Sequence, residues 1–104
     1  MNPKQMERYL KTIGDQSRLQ LLKALEQKPL CICDLNTVLD VSQPAISQHM
    51  HRLKSDKIVL NERRGRWVYW SLNRSHPHYF LLLELLKLLP VPTIECSKEE
   101  NPCK

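Results

Sequence analysis

The chain has 104 residues, 41% of them hydrophobic and 26% charged, which is enough for one domain with a single modest core. Its net charge of +5 and pI near 9.2 suit an acidic partner such as nucleic acid, although charge alone does not name one. The N-terminus carries no cleavage signal, and the longest apolar run, from Tyr79 to Leu89, is broken by Glu84 and Lys87. That run is far short of the roughly 20 residues of a membrane span. A cytoplasmic protein with no membrane partner is expected, in which four cysteines act as thiols or ligands rather than as a disulfide framework.

Asn2 or Pro3 can start a first helix, whose apolar stripe is Met6, Tyr9, Leu10 and Ile13. Gly14 is expected to end it in a left-handed conformation. Asp15 then caps a second helix, with Leu19, Leu22 and Leu25 inward and Arg18, Lys23 and Glu26 outward. Lys28-Pro29 breaks that helix, and Leu30 is a short extended residue. Cys31 to Asp34 opens a third helix with the spacing of a capping box, and Leu35, Val38 and Leu39 form its buried face.

A tight turn at Asp40-Val41 leads to Ser42, a good N-cap, and to Pro44, which the first turn of a helix tolerates. This fourth helix buries Ile46, Met50 and Leu53. Pro44, Gln48, His51 and Arg52 lie about 180° away, with Ser47 on the flank. Ile58-Val59-Leu60 and Trp67-Val68-Tyr69-Trp70 read as two strands joined by an arginine-rich tip, Asn61 to Arg66, with Gly65 for the turn. A last helix is predicted from about His76 to Leu89. It is apolar nearly all round, which one small subunit cannot cover, so a second copy is expected against it. The segment 91–104 is expected to be a poorly ordered tail on a domain spanning 1–90.

This order gives a mainly α fold with a small β-hairpin, which is a winged helix-turn-helix plan. Gln43, Ser47 and Gln48 are short donors and acceptors suited to base edges in a major groove. Arg52, Lys54, Arg63, Arg64 and Arg66 suit phosphates or the minor groove, and His51 faces the same way. Ser42, at the head of the helix, completes the DNA-facing set. His49 is nearer the core edge and is expected to pack. Trp67, Tyr69 and Trp70 are assigned to sheet packing rather than to base stacking. An enzyme has little support, because no nucleophile has a base at a recognisable spacing and no glycine loop cradles phosphate.

Three strings carry a resemblance: Cys31-Ile32-Cys33-Asp34-Leu35, Ser42 to Met50, and Gly65-Arg66-Trp67-Val68-Tyr69. With them the chain closely resembles the ArsR/SmtB family over roughly residues 6 to 89. The resemblance implies a dimer formed through the first and last helices and bound to operator DNA of two-fold symmetry. It also implies release by a metal ion or metalloid, with no cofactor needed for DNA binding. The Cys-x-Cys-Asp-Leu string is similar to the branch that senses trivalent arsenic and antimony, or cadmium and lead.

Cys31 and Cys33, at the N-cap and second position of a helix, can both lie near the exposed amides of the first turn, which favour the thiolate that binds soft ions. The arsenic branch often has a third cysteine three residues further on, and here that position is Asn36. Cys96 or Cys103 could supply the missing thiolate, or two sulfurs could suffice. The cadmium and lead sensors add cysteines from the N-terminal segment, which this chain lacks. In the register of the family's zinc ligands stand Arg74, His76, Lys87 and Pro90, so only His76 survives; it and His78 read as solvent or cap residues. Arsenic(III) or antimony(III) as inducer is the first reading, and a thiol redox switch or a cadmium or lead response is the alternative.

Overall fold

The computed structural model describes residues 2–92, in the order α1 (Pro3–Ile13), α2 (Gln16–Gln27), α3 (Ile32–Leu35), α4 (Gln43–Ser55), β1 (Val59–Arg64), β2 (Trp67–Leu72) and α5 (Tyr79–Leu86). This is the winged helix-turn-helix expected. Helices α1, α2 and α4 each start on a polar side-chain cap. Asn2 accepts from the Gln5 amide at 2.8 Å while Gln5 accepts from the Asn2 amide at 3.1 Å, a complete capping box. Asp15 accepts from the Arg18 amide at 3.0 Å, and Ser42 from the Ala45 amide at 3.3 Å.

Gly14 does end α1, but not in the left-handed region: its φ is −81°, and its amide donates to the Leu10 carbonyl at 2.7 Å. A β-carbon there would stand 2.6 Å from that oxygen, so close approach, not positive φ, requires the glycine. The inward face of α1 is Tyr9, Thr12 and Ile13, and Met6 and Leu10 of the expected stripe are exposed. On α2, Leu21, Leu22, Ala24 and Leu25 are buried, and so is Lys23, which was expected outside. It lines a groove with Val38, Leu89 and Pro90, and its ammonium meets Glu26 at 2.6 Å.

The core gathers Leu21, Leu22, Leu35, Ile46, Met50, Leu53, Ile58, Val59, Trp70, Leu82 and Leu86. Ile46, Met50 and Leu53 are the inward face of α4, as its spacing predicts. Asp56, just past α4, fastens that end to α1. Its Oδ1 accepts from Arg8 at 2.7 Å, and its Oδ2 from the buried Thr12 hydroxyl at 2.6 Å. Burial alone would raise the Asp56 pKa, but the Thr12 and Arg8 bonds and the charges of Arg8 and Arg52 bring it below the ordinary carboxylate value.

The hairpin is antiparallel and longer than expected, running from Val59↔Leu72 to Arg64↔Trp67 and leaving only Gly65-Arg66 as the turn. Gly65 has φ +65°, the conformation a two-residue hairpin turn demands of its first residue. One face of the hairpin, with Val59 and Trp70, packs on the core. Leu30, extended as predicted, forms a bridge with Trp70 through bonds of 3.0 and 2.7 Å. The last helix begins at Tyr79 rather than His76, because Asn73 accepts from the Ser75 amide and holds a turn there. It buries Leu82 and Leu86 and leaves Phe80, Leu81 and, just beyond its end, Leu88 exposed. No helix among the described residues is long and apolar enough to cross a membrane.

Candidate metalloid site and nucleic-acid interface

The third helix is one turn long, ending at Leu35 where the sequence suggests Leu39. Asn36 explains this: its side-chain amide donates to the carbonyls of Leu39 at 3.4 Å and Val41 at 3.0 Å, drawing the chain into the turn early. Cys31 is the N-cap residue, in extended backbone, and Asp34 stands at the third helical position, but no side-chain bond from Cys31 closes the expected capping box. The N-cap, second and third positions project back toward the start of the helix, which brings their donor atoms together. The sulfurs of Cys31 and Cys33 and a carboxylate oxygen of Asp34 all lie within 4.8 Å of one another.

Cys31 and Asp34 are buried and Cys33 is half-buried. Sequence reasoning took Asp34 for a cap; the i, i+2, i+3 spacing of three ligand types at a helix start was the signal for its place beside the thiols. Cys96 and Cys103 lie outside the described residues.

The residues on either side of this cluster join it to the core and to the hairpin. Leu35 and Leu39 belong to the same core as Ile46 and Met50 of α4. Leu30, next to Cys31, is bridged to Trp70, and the His51 ring stands edge-on to the Trp70 indole with centroids 5.3 Å apart. Cys31 is thus linked to α4 both through the packing of α3 and through the Leu30–Trp70–His51 contacts.

Along α4, Ser42, Gln43, Gln48, His51 and Arg52 are exposed, and Ser47 is half-buried. His49 packs as expected, its Nδ1 accepting from Arg18 Nε at 3.3 Å. On the hairpin, Arg63, Arg64 and Arg66 are exposed. They are not equivalent: Arg64 is paired with Glu62 and lies over the Tyr69 ring at 5.3 Å, while Arg66 occupies the turn itself. Arg52 stands with Lys4, Arg8 and Lys11 around a shallow groove between α1 and α4, a basic grouping that no local spacing in the sequence reveals.

His76 and His78 flank a separate cleft of about 450 Å³ with Tyr9, Arg8 and Asp56. The His76 ring stacks on Tyr9 with centroids 5.5 Å apart, and its Nδ1 accepts from the His78 amide at 3.0 Å. Burial, then the neighbouring His78, lower its pKa below the usual histidine value. Its contacts are local, in the turn before α5, whose N-cap residue is His78 with no side-chain cap bond.

The fold is that of the winged helix-turn-helix regulators. A solved structure of the transcriptional regulator HlyU from Vibrio vulnificus CMCP6 is similar, with a TM-score of 0.69 and 31% identity, covering 86% of this chain and all of that one. The profile described as "Bacterial regulatory protein, arsR family" matches residues 15–59. The arsenical resistance operon repressor of Staphylococcus aureus is 35% identical over 104 residues, which is the whole of this chain and 93% of that protein. The repressor of the same name from Escherichia coli K12 is 41% identical over 68 residues. The chain spans about half to three fifths of the length of several curated relatives it matches. It belongs to the arsR family of bacterial regulatory proteins, a family of regulators and not of enzymes.

Proposed function

We propose that the protein is a transcriptional repressor that binds operator DNA as a homodimer and is released by trivalent arsenic or antimony held by Cys31 and Cys33. The observation that carries this is the convergence of two sulfurs within 4.8 Å at the head of α3, the helix packed against α4. Two thiolates suit a soft, thiophilic ion, and the buried Asp34 beside them is the harder donor of the set. The names of the S. aureus and E. coli relatives point to the same inducer class.

In the DNA-bound form, Gln43, Ser47 and Gln48 present donors and acceptors to base edges, with Ser42 and His51 beside them, while Arg52, Arg63 and Arg66 meet phosphates. Exposed Met6, Leu10, Phe80, Leu81 and Leu88 form the surface for the second copy. Two α4 helices are then presented about one turn of DNA apart. Drawing the Cys31 and Cys33 sulfurs onto one centre changes the first turn of α3. Cys31 moves Leu30 and hence Trp70 and His51, and Leu35 moves against α4. A coupling of about 1–3 kcal/mol is typical and corresponds to operator affinity falling 5–150-fold.

The test is an operator titration with the full chain, repeated with arsenite, antimonite, cadmium, lead, zinc and peroxide. Release by arsenite and antimonite at the lowest concentrations is the expected result. Release by peroxide alone would make the thiols a redox switch, and release by cadmium or lead alone would move the protein to another inducer.

A further inference from the structure

We propose that the basic strip of α1, Lys4 with Arg8 and Lys11, forms a second DNA-contacting surface together with Arg52 of α4. It takes the backbone phosphates that lie between the two half-sites of the operator. This deepens the DNA-binding reading and rests on α4 as the reading helix of a dimer.

Three faces divide α1. Tyr9, Thr12 and Ile13 face inward, and Met6 and Leu10 form an exposed apolar strip. Lys4, Arg8 and Lys11, at i, i+4 and i+7, share the third face and are all exposed. The second copy is assigned to Met6 and Leu10, so it leaves the basic strip uncovered. Lys4, Arg8 and Lys11 line one shallow groove with Arg52, and the carboxylate in that groove is Glu7. Arg52 lies one turn beyond Gln48 on the exposed side of α4, so the groove continues the reading surface.

Local pairing does not consume this charge. Arg8 is held by Asp56 at 2.7 Å, but Lys11 meets Glu7 at 3.8 Å in an exposed pair, which contributes little. Lys4 enters no ion pair among the described residues. It stands in the first turn of α1, where the positive end of the helix dipole disfavours a cation and no acidic residue offsets it. An anion brought from outside relieves that arrangement.

The spacing suits a DNA strand. Lys4 to Lys11 covers about 10 Å of helix, or about three phosphate steps of ~3.4 Å along one strand. The far side of α1 stands about one helix diameter, roughly 10–12 Å, from the partner that covers Met6 and Leu10. Reading helices about 34 Å apart place each one about 17 Å from the two-fold axis. The strip therefore falls between axis and reading helix, over the central phosphates.

The test compares the full-length protein with its Lys4→Gln/Lys11→Gln variant by titration across salt concentrations. Three operator duplexes are used: unmodified, with neutral methylphosphonate linkages in the central segment, and with the same linkages in the outer flanks. On the unmodified duplex the salt slope should fall by about 0.9 for each lysine that meets a phosphate. Central neutral linkages should lower the wild-type slope and leave that of the variant unchanged. The Lys4→Arg/Lys11→Arg variant should behave as wild type. Preference for operator over random duplex should not change, since phosphate contacts carry no sequence information. Circular dichroism and sedimentation matching wild type confirm that the variants keep the fold and assembly. An unchanged slope in Lys4→Gln/Lys11→Gln, or a loss of sensitivity to the outer linkages instead, overturns the proposal. Gln48→Ala reads the underlying assignment separately: if it and Gln43→Ala both leave operator preference intact, α4 is not the reading helix and the proposal falls with it.

Discussion

Asp56→Ala removes the carboxylate that ties α1 to the end of α4, and its cost can be worked from the geometry. The Thr12 hydroxyl is fully buried and donates to Asp56 at 2.6 Å, so the substitution leaves a buried donor without its acceptor, at about 1–3 kcal/mol. Arg8 bonds the other oxygen at 2.7 Å but its side chain is 70% exposed, so its arm adds no more than about 1 kcal/mol. A total near 2–3 kcal/mol at pH 7 is expected, a drop in Tm of about 10–20 °C for a domain of this size. The assay is thermal or urea unfolding at fixed protein concentration, because the stability of the proposed dimer would depend on it. Thr12→Val alone and in combination gives the coupling, which should exceed about 0.5 kcal/mol.

The pH dependence has a definite sign. Because folding lowers the Asp56 pKa, its contribution is fully present above the ordinary carboxylate value of 3.8 and is lost as pH falls through the lowered one. The gap between wild type and Asp56→Ala should therefore close in acid. A difference below about 0.5 kcal/mol at pH 7, or one that persists undiminished in acid, would refute the reasoning.

Gly14→Ala should destabilise by about 1–3 kcal/mol in urea unfolding, although alanine is the better helix former, because its β-carbon meets the Leu10 carbonyl at 2.6 Å. Arg63→Ala and Arg66→Ala should each reduce the salt slope of operator binding by about one, measured by titration across salt concentrations. Arg64→Ala should change it less, since Glu62 already neutralises that guanidinium. Leu81→Glu, on an exposed face of α5, should shift the sedimentation coefficient toward that of a single subunit while leaving the circular dichroism of the fold in place.

Much of the fold was legible because caps and periodicity act locally. Asn2, Asp15 and Ser42 announce helix starts through their own backbone bonds, and Ile46, Met50 and Leu53 mark the inner face of α4 by spacing alone. The misjudged features depend on partners distant in sequence or on turn chemistry that competes with the helix. Lys23 is buried because its stem is covered by neighbours its own helix does not supply. The early end of α3 comes from one asparagine side chain bonding two carbonyls further on. The late start of α5 has the same kind of origin in Asn73.

The candidate site was legible as a pair of cysteines but not as a cluster. Asp34 joins them only once the start of α3 is seen in three dimensions. The link from Cys31 through Leu30 and Trp70 to His51 crosses forty residues of sequence and has no sequence signal at all.

The most direct measurement of whether Cys31 and Cys33 hold the inducer is the operator affinity of Cys31→Ser and Cys33→Ser, each with and without arsenite. Serine keeps the N-cap and helix positions, so binding without arsenite should stay within about threefold of wild type. The arsenite-induced release should vanish in both. If either variant loses operator binding outright, the thiols are structural; if both still release on arsenite, the inducer is held elsewhere and Cys31 and Cys33 are not its ligands.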